Sequence, residues 1–170
     1  MLTRGASSVI IAPPNNSPVR VGLKFSGLER LEAVMAGAEA AGRPVVMLVE
    51  DYRDTREMMR HMLELTGCRV VEASNGQEAI ELSQRDELDL VLMDLNMPVL
   101  DGFTATLRIR EYERTRDVPV VALTAFDTAE FRAAAGAVGC CDFVVKPLDP
   151  EHLTALITRL LPTRAAASEA

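Results

Sequence analysis

Short apolar runs alternate with amphipathic segments along most of this chain. Five runs have the composition and length of strands that are buried on both faces: residues 45–49, 68–73, 88–93, 118–123 and 143–145. After each run, apolar residues recur every three or four positions, which predicts helices that begin near residues 53, 76, 102, 128 and 150. The third helix is predicted to reach about Arg114 and to carry Arg110 on a charged, solvated face, and either Asp127 or Thr128 is predicted to cap the fourth. This alternation predicts parallel strands joined by right-handed crossover connections.

The pattern favours an α/β domain with a flavodoxin-like fold. Five β–α repeats predict a doubly wound, five-stranded parallel sheet with the strand order 2-1-3-4-5. The switch point of such a sheet lies between its first and third strands, at the carboxyl edge where ligands bind. A functional site is therefore expected at that edge.

The remainder of the chain is predicted to flank this domain. Residues 1–43 are expected to be a partly disordered N-terminal extension with a helix at about residues 23–41, where Leu28, Leu31 and Val34 recur at helical spacing. The α/β domain is expected to span residues 44–161. Residues 162–170 are expected to form a disordered tail, which is too short for a DNA-binding output domain.

Composition narrows the class of protein. The chain has 18 Lys and Arg against 25 Asp and Glu, a net charge of −7, which argues against direct nucleic-acid binding. No apolar stretch approaches the roughly 18 residues of a membrane span, so a cytoplasmic protein is expected. The cysteines Cys68, Cys140 and Cys141 match no disulfide or metal pattern, and buried or half-buried structural roles are expected for them.

Polar side chains stand at the ends of four of the predicted strands. Glu50 and Asp51 follow the first, Asp94 the third, Thr124 the fourth and Lys146 the fifth. At a separation of about 5 Å and an effective dielectric of about 20, two carboxylates repel by roughly 3 kcal/mol. A cation is therefore expected among the three acids, and oxygen donors without imidazole or thiolate favour Mg²⁺, with Mn²⁺ as the alternative.

The same residues are suited to phosphoryl chemistry. The Lys146 ammonium and the Thr124 hydroxyl match the oxygens of a transferring phosphoryl group. No G-x-x-x-x-G-K-[ST] phosphate loop is present, and no Ser or Cys stands beside a histidine. Asp94 is left as the nucleophile, which would give an acyl phosphate.

Four motifs in fixed order carry a family resemblance. They are Glu50-Asp51, Asp94 with Met97-Pro98 and Asp101-Gly102, Thr124-Ala125, and Lys146-Pro147. Their spacings are 43 residues from Asp51 to Asp94, 30 from Asp94 to Thr124 and 22 from Thr124 to Lys146. Over residues 44–161 the chain resembles the receiver domain of two-component response regulators.

The resemblance implies a metal site and a phosphoacceptor. Asp94 would take a phosphoryl group from a histidine kinase or a histidine phosphotransfer protein. Asp51 and Asp94 would bind Mg²⁺ directly, Glu50 would support the ion largely through water, and the backbone carbonyl of Asn96 would complete the protein ligands.

The resemblance also implies a switch. The Thr124 hydroxyl and the Lys146 ammonium would bind phosphoryl oxygens, and the Lys146-Pro147 peptide bond would be cis. Phe143 occupies the aromatic switch position and has no hydroxyl, so it is expected to act by packing alone. Phe126, two residues after Thr124, is expected to hinder the water that hydrolyses the acyl phosphate.

The expected function is therefore a phosphorylation-dependent signalling switch, a stand-alone receiver that signals through protein–protein contact. Such a protein is not an enzyme in the ordinary sense, although it assists its own phosphorylation and dephosphorylation. A downstream protein is expected to bind at about residues 127–161, without contact to membrane or nucleic acid.

Two alternatives remain open at this point. The chain could be the receiver portion of a hybrid histidine kinase. A haloacid-dehalogenase-type phosphohydrolase also uses a strand-end aspartate and Mg²⁺, but it needs a general acid two residues later, where Asn96 stands.

Overall fold

The computed structural model describes residues 42–161. The predicted helix at about residues 23–41 and the predicted tail at residues 162–170 lie outside the described residues. Within residues 42–161, no helix combines the length and the apolar character that crossing a membrane requires.

Residues 42–161 form five strands and five helices in strict alternation. The strands are β1 (Val45–Val49), β2 (Arg69–Ala73), β3 (Leu90–Asp94), β4 (Val120–Thr124) and β5 (Asp142–Val145). The helices are α1 (Arg53–Leu65), α2 (Gly76–Arg85), α3 (Gly102–Glu111), α4 (Ala129–Ala137) and α5 (Pro150–Leu160). All strand pairs are parallel and the order is β2-β1-β3-β4-β5, so the predicted flavodoxin-like fold is confirmed.

The sheet is covered on both faces because successive side chains of a strand point in opposite directions. On one face, Val46 and Leu48 of β1 belong to a core that also contains buried residues of α1 and α5. On the other face, Met47 and Val49 belong to a core shared with α2 and α3. The central strands are therefore buried from end to end, which explains their continuous apolar runs.

Side-chain caps fix where four of the helices begin. Asn75, Asp101, Thr128 and Asp149 each accept a hydrogen bond from the backbone N–H three residues later. The sequence allowed either Asp127 or Thr128 as the cap of α4, and the structure shows Thr128. These caps satisfy N–H groups that have no partner inside the helix.

Helix α3 ends earlier than the sequence predicts. Its last residue is Glu111, not Arg114, and turns follow it. Arg110 explains the turns, because its guanidinium donates to the carbonyl oxygens of Arg116 at 2.5 Å, Val118 at 2.6 Å and Gly139 at 2.8 Å. The charge pattern predicts Arg110 on a solvated helix face, but in the structure Arg110 joins the loop before β4 to the loop before β5.

The cysteines follow the prediction at two positions of three. Cys68 is buried and Cys140 is half-buried, whereas Cys141 is exposed, so the predicted burial is wrong for Cys141. Burial raises the pKa of the Cys140 thiol to about 11, so this side chain is a neutral thiol at physiological pH.

The start of α2 makes the stability of the domain depend on pH. The Ser74 N–H and then the Ser74 hydroxyl, both 2.7 Å from Glu78 Oε2, lower the pKa of Glu78 from its ordinary value of 4.5. A lowered folded-state pKa stabilises the fold fully above 4.5, and this contribution is lost as the pH falls through the folded value.

We therefore expect Glu78→Gln to lower the free energy of unfolding at pH 7, and the gap to the parent protein to close on acidification. Urea unfolding at a series of pH values measures this gap. Glu81→Gln is the control for the change of charge, since Glu81 is on the same helix and bonds the Gln77 side chain instead of a backbone N–H. A gap for Glu78→Gln that stays constant with pH would contradict the assignment.

Candidate functional site

The sheet register brings the ends of four strands together. Val49 of β1 pairs with Met93 of β3, so the residues that follow them lie side by side. The Leu95 N–H donates to Leu123 O at 3.0 Å, and the Lys146 N–H donates to Thr124 O at 2.8 Å. Backbone hydrogen bonds thus extend past the strands and fix the residues at this edge.

Three carboxylates meet at this edge. Glu50, Asp51 and Asp94 each offer a carboxylate oxygen, and these oxygens lie within 4.8 Å of one another. Glu50 is 2% exposed and Asp94 is 5% exposed, whereas Asp51 is open to solvent. The cluster is therefore a pocket with one solvent-facing side.

Lys146 supplies a positive charge inside the pocket. Its ammonium donates to Asp94 Oδ2 at 2.6 Å and also to Glu50 Oε2. Burial raises the pKa of Glu50, although the hydrogen bond from Lys146 opposes this. Burial also acts to lower the pKa of Lys146, but the two carboxylates outweigh it and raise that pKa, so Lys146 stays charged.

The donor set fits a hard divalent cation. Three carboxylates and one ammonium leave a formal charge of −2 when all are ionised, and all the candidate ligand atoms are oxygens. Asn96 lies beside the cluster, where its N–H donates to Asp94 Oδ1 at 3.0 Å and holds that carboxylate in place. This chemistry suits Mg²⁺ or Mn²⁺ better than a metal that prefers imidazole or thiolate.

Thr124 is buried at the end of β4. Its Oγ1 accepts a hydrogen bond from the Phe126 N–H at 3.1 Å. A hydroxyl that accepts one bond still has a hydrogen to donate. Among the hydrogen bonds of the described residues, the Thr124 hydroxyl makes none to Asp94 or Lys146, so it lies near the pocket without closing it.

The structure confirms the geometry that the resemblance implies for the peptide bond after Lys146. The Lys146-Pro147 peptide bond is cis. Phe143 pairs with Ala122 of β4, and its half-buried ring packs in a small core with Leu95 and Ala135. Phe143 is therefore under α4, on the sheet face that leads to Thr124.

Gly102 has a steric role in addition to its place at the start of α3. Asp101 caps α3 as expected. A Cβ on Gly102 would lie 2.1 Å from the carbonyl oxygen of Asp94 and 2.8 Å from the Cα of Leu95. The first turn of α3 therefore packs directly on the backbone that carries Asp94, and only glycine leaves room for this.

Sequence reasoning missed Arg56. Its Nη1 donates to the carbonyl oxygen of Glu50 at 2.7 Å, and its Nε lies 3.4 Å from Glu72 Oε1. The side chain thus ties α1 and β2 to the backbone between the acids. An arginine in the first turn of a helix gave no sequence signal for this contact.

The fold and the site together define a doubly wound α/β protein with an acidic, lysine-bearing pocket at the carboxyl edge of its sheet. The chain belongs to the response regulator receiver domain family, whose model matches residues 46–158. It is thus a receiver domain of two-component, phosphorelay signalling.

Relatives of different length share this domain. An uncharacterized 14.6 kDa protein of Leptolyngbya boryana is 39% identical over 112 residues, which are 66% of this chain and 86% of that protein. A probable transcriptional regulator, ycf27 of Guillardia theta, is 36% identical over 116 residues, which are 68% of this chain and 44% of the regulator. The chain therefore spans less than half of this second relative.

Solved receiver domains have the same fold. One is the receiver domain of sensor histidine kinase PA1611 from Pseudomonas aeruginosa, which is 34% identical with a TM-score of 0.66. The match covers 70% of this chain and 98% of that one, and that structure holds a magnesium ion in its active-site cleft. The receiver domain of Ssk1 from Saccharomyces cerevisiae, crystallised with the phosphotransfer protein Ypd1, is 30% identical with a TM-score of 0.66, covering 69% and 88%.

The contact of Gly102 with Asp94 leads to a stability prediction. Gly102→Ala is expected to lower the free energy of unfolding by about 1–3 kcal/mol, because the added methyl forces the two backbones apart. Gly136→Ala in α4 is the matched control, since nothing lies within 4 Å of its Cβ, and a gain of about 0.5–1 kcal/mol is expected. Urea unfolding measures the free energy of unfolding of both variants and of the parent protein. An unchanged free energy of unfolding in Gly102→Ala would disprove the steric role.

Proposed function

We propose that Asp94 is a phosphoacceptor that takes a phosphoryl group from a phosphohistidine of a histidine kinase or a histidine phosphotransfer protein. The observation that carries this proposal is the environment of the Asp94 carboxylate. It is 5% exposed, 2.6 Å from a charged amine, and part of a three-carboxylate cluster suited to Mg²⁺. A receiver domain comprising residues 44–161 accords with the family match.

The transfer is a displacement at phosphorus. A carboxylate oxygen of Asp94 forms the new P–O bond while the P–N bond to the donor imidazole breaks. The imidazole nitrogen leaves with the electron pair of that bond, so no oxidant or reductant is needed. Because such transfer is mostly positioning and charge stabilisation, rigid hydrogen bonds at the acceptor carboxylate are the main requirement.

Hydrogen-bond donors hold both oxygens of Asp94. The Asn96 N–H reaches Oδ1 at 3.0 Å and the Lys146 ammonium reaches Oδ2 at 2.6 Å. Once Asp94 is phosphorylated, the proposed role of Lys146 is to donate to a phosphoryl oxygen. The Thr124 hydroxyl and the Ala125 N–H, which follow on the neighbouring strand, are proposed to donate to another phosphoryl oxygen.

Asp51, Asp94 and the Asn96 carbonyl are the proposed direct ligands of Mg²⁺, with Glu50 supporting the ion largely through water. When bound, the ion would supply positive charge that offsets the charge of the phosphoryl oxygens. Glu50 is buried and accepts a hydrogen bond from Lys146, whereas Asp51 is the solvent-facing carboxylate of the cluster. Mn²⁺ has the same preference for oxygen ligands.

We propose that phosphorylation is read at residues 127–161. A groove of about 420 Å³ lies between β5 and α5. Its lining combines apolar residues, among them Phe143, Val145 and Leu156, with the polar residues Asp142, His152 and Arg159. Phe143 lies both under α4 and in this groove. A protein bound in the groove would therefore contact Phe143 and respond to a change in its packing. Ssk1 shows that a receiver of this family binds a phosphotransfer protein, and a partner of that kind is proposed as the phosphodonor here.

The proposed protein is a cytoplasmic signalling component that contacts proteins but neither membrane nor nucleic acid. It is not an enzyme with a separate substrate, although its pocket assists its own phosphorylation and dephosphorylation.

A receiver within a hybrid histidine kinase is the second candidate, supported by a 38% identity to hybrid signal transduction histidine kinase G of Dictyostelium discoideum, of which this chain spans 4%. Asn96 removes the general acid that a dehalogenase-type hydrolase needs.

Intact mass spectrometry tests the phosphoacceptor. Incubation with acetyl phosphate and Mg²⁺ is expected to add one labile phosphoryl group, and chelation of the metal is expected to prevent the addition. Asp94→Asn should add none, because an amide is a poor nucleophile, whereas Asp117→Asn, an exposed acid in the loop before β4, should react like the parent protein. Equal labelling of the Asp94→Asn protein would refute the proposal.

Phe126 is expected to lengthen the life of the phosphoryl group. Its ring is 50% exposed, stacks on Phe131 with the centroids 5.2 Å apart, and belongs to a residue whose N–H bonds Thr124. Phe126→Ala should lose its phosphoryl group several times faster, because water then meets less shielding at the acyl phosphate. The decay is followed by intact mass after the donor is removed.

Tyr112→Ala is the control for the Phe126 experiment, since Tyr112 is an exposed aromatic residue at the end of α3. Its phosphoryl lifetime should equal that of the parent protein. An equal or slower decay in Phe126→Ala would remove the shielding role.

A further inference from the structure

Arg132, on the first turn of α4, joins two segments that flank the pocket. Its guanidinium carbon lies 4.6 Å from the ring centroid of Phe143 on β5. Its Nε and Nη2 lie 2.8 Å and 2.5 Å from Asp127 Oδ1 in the loop between β4 and α4. One side chain therefore links this loop to the aromatic ring three residues before Lys146.

The rest of α4 is weakly seated on the sheet. Ala135 is its one buried residue among Ala129–Ala137. Phe131 adds a second attachment through rings, with centroids 5.2 Å from Phe126 and 6.1 Å from Phe103. With so little apolar burial, the contacts at the first turn of α4 have a large share in holding this helix where it is.

The loop that Arg132 holds is also the loop that Thr124 begins. Thr124 Oγ1 accepts from the Phe126 N–H, and Asp127 is the next residue along the chain. Among the hydrogen bonds of the described residues, the Thr124 hydroxyl makes none to Asp94 or Lys146, so the proposed donation to a phosphoryl group needs a contact that the present arrangement does not contain. Arg132 opposes any movement of this segment relative to Phe143, because such a movement would separate the guanidinium from Asp127 or from the ring.

We propose that Arg132 is a positioning residue that holds Phe143 and the Thr124–Asp127 segment in the arrangement seen here, and thereby restrains phosphorylation. The proposal rests on the proposed function of Asp94 as the phosphoacceptor. Removing the restraint enlarges the fraction of molecules that are competent to take the phosphoryl group, and the rate rises in proportion to that fraction.

The expected size of the effect follows from the two contacts. A partly exposed cation–π pair and an exposed ion pair each alter an equilibrium by about two- to fivefold. Arg132→Ala is therefore expected to speed phosphorylation by acetyl phosphate about three- to tenfold. Arg132→Lys keeps a cation above the ring but loses the two-nitrogen grip on Asp127, so an intermediate rate is expected.

The experiment combines that rate with NMR spectra taken without a phosphodonor. In Arg132→Ala, the ring signals of Phe143 and the amide signals of Thr124 and Phe126 are expected to shift together, before any phosphorylation. Arg69→Ala is the matched control, because Arg69 on β2 is similarly exposed and also pairs with an aspartate, Asp86. It should change neither the rate nor these signals.

The possible results are distinct. If the parent protein takes no phosphoryl group, the proposed role of Asp94 fails, and the NMR shifts alone then decide whether Arg132 positions the loop. If the parent protein is phosphorylated and Arg132→Ala reacts at the same rate, or more slowly, the restraint is overturned. Unmoved Thr124 and Phe126 signals in Arg132→Ala also overturn it.

Discussion

Mutual repulsion of carboxylates at one edge of a buried sheet is the constraint that organises this domain. Glu50, Asp51 and Asp94 bring oxygens within 4.8 Å of one another, and two of these side chains are nearly removed from water. At such separations and an effective dielectric of about 20, each pair opposes folding by roughly 3 kcal/mol. The Lys146 ammonium at the end of β5 offsets part of that repulsion, and the remaining negative charge makes the pocket chemically suited to a divalent cation.

The hydrophobic layers give this arrangement its rigidity. Cores on both faces bury β1, β3 and β4 completely or nearly so, and the parallel register sets the order in which their last residues meet. Local contacts then fix the polar groups: Asn96 holds one oxygen of Asp94, Arg56 holds the carbonyl of Glu50, and Gly102 lets α3 pack on the backbone of Asp94. The site is thus held by backbone hydrogen bonds and close packing, with little freedom left to its side chains.

The most weakly packed helix of the described residues lies beside the pocket. Helix α4 has one buried residue, and its other attachments include the phenylalanine rings and the contacts of Arg132. A rigid acceptor beside a weakly attached helix is a suitable arrangement for a switch, because a coupling of about 1–3 kcal/mol is enough to change the preferred state. In the proposed function, a phosphoryl group would add charge and acceptor oxygens on the rigid side, and the loop from Thr124 to Asp127 connects that side to α4.

The sequence by itself determined the fold class, the strand order and the residues that meet at the sheet edge. Buried strands that alternate with amphipathic helices predict a doubly wound parallel sheet. Parallel strands bring their carboxyl ends to one edge of that sheet. Only the tertiary structure decided that Arg110 joins two loops, that Arg56 supports Glu50, and that Arg132 spans Asp127 and Phe143. A long, flexible arginine reaches partners that are distant in sequence, so local pattern predicts only its charge. It likewise decided the end of α3 and the exposure of Cys141, because both depend on loops whose course is set by contacts between elements and not by periodicity within one.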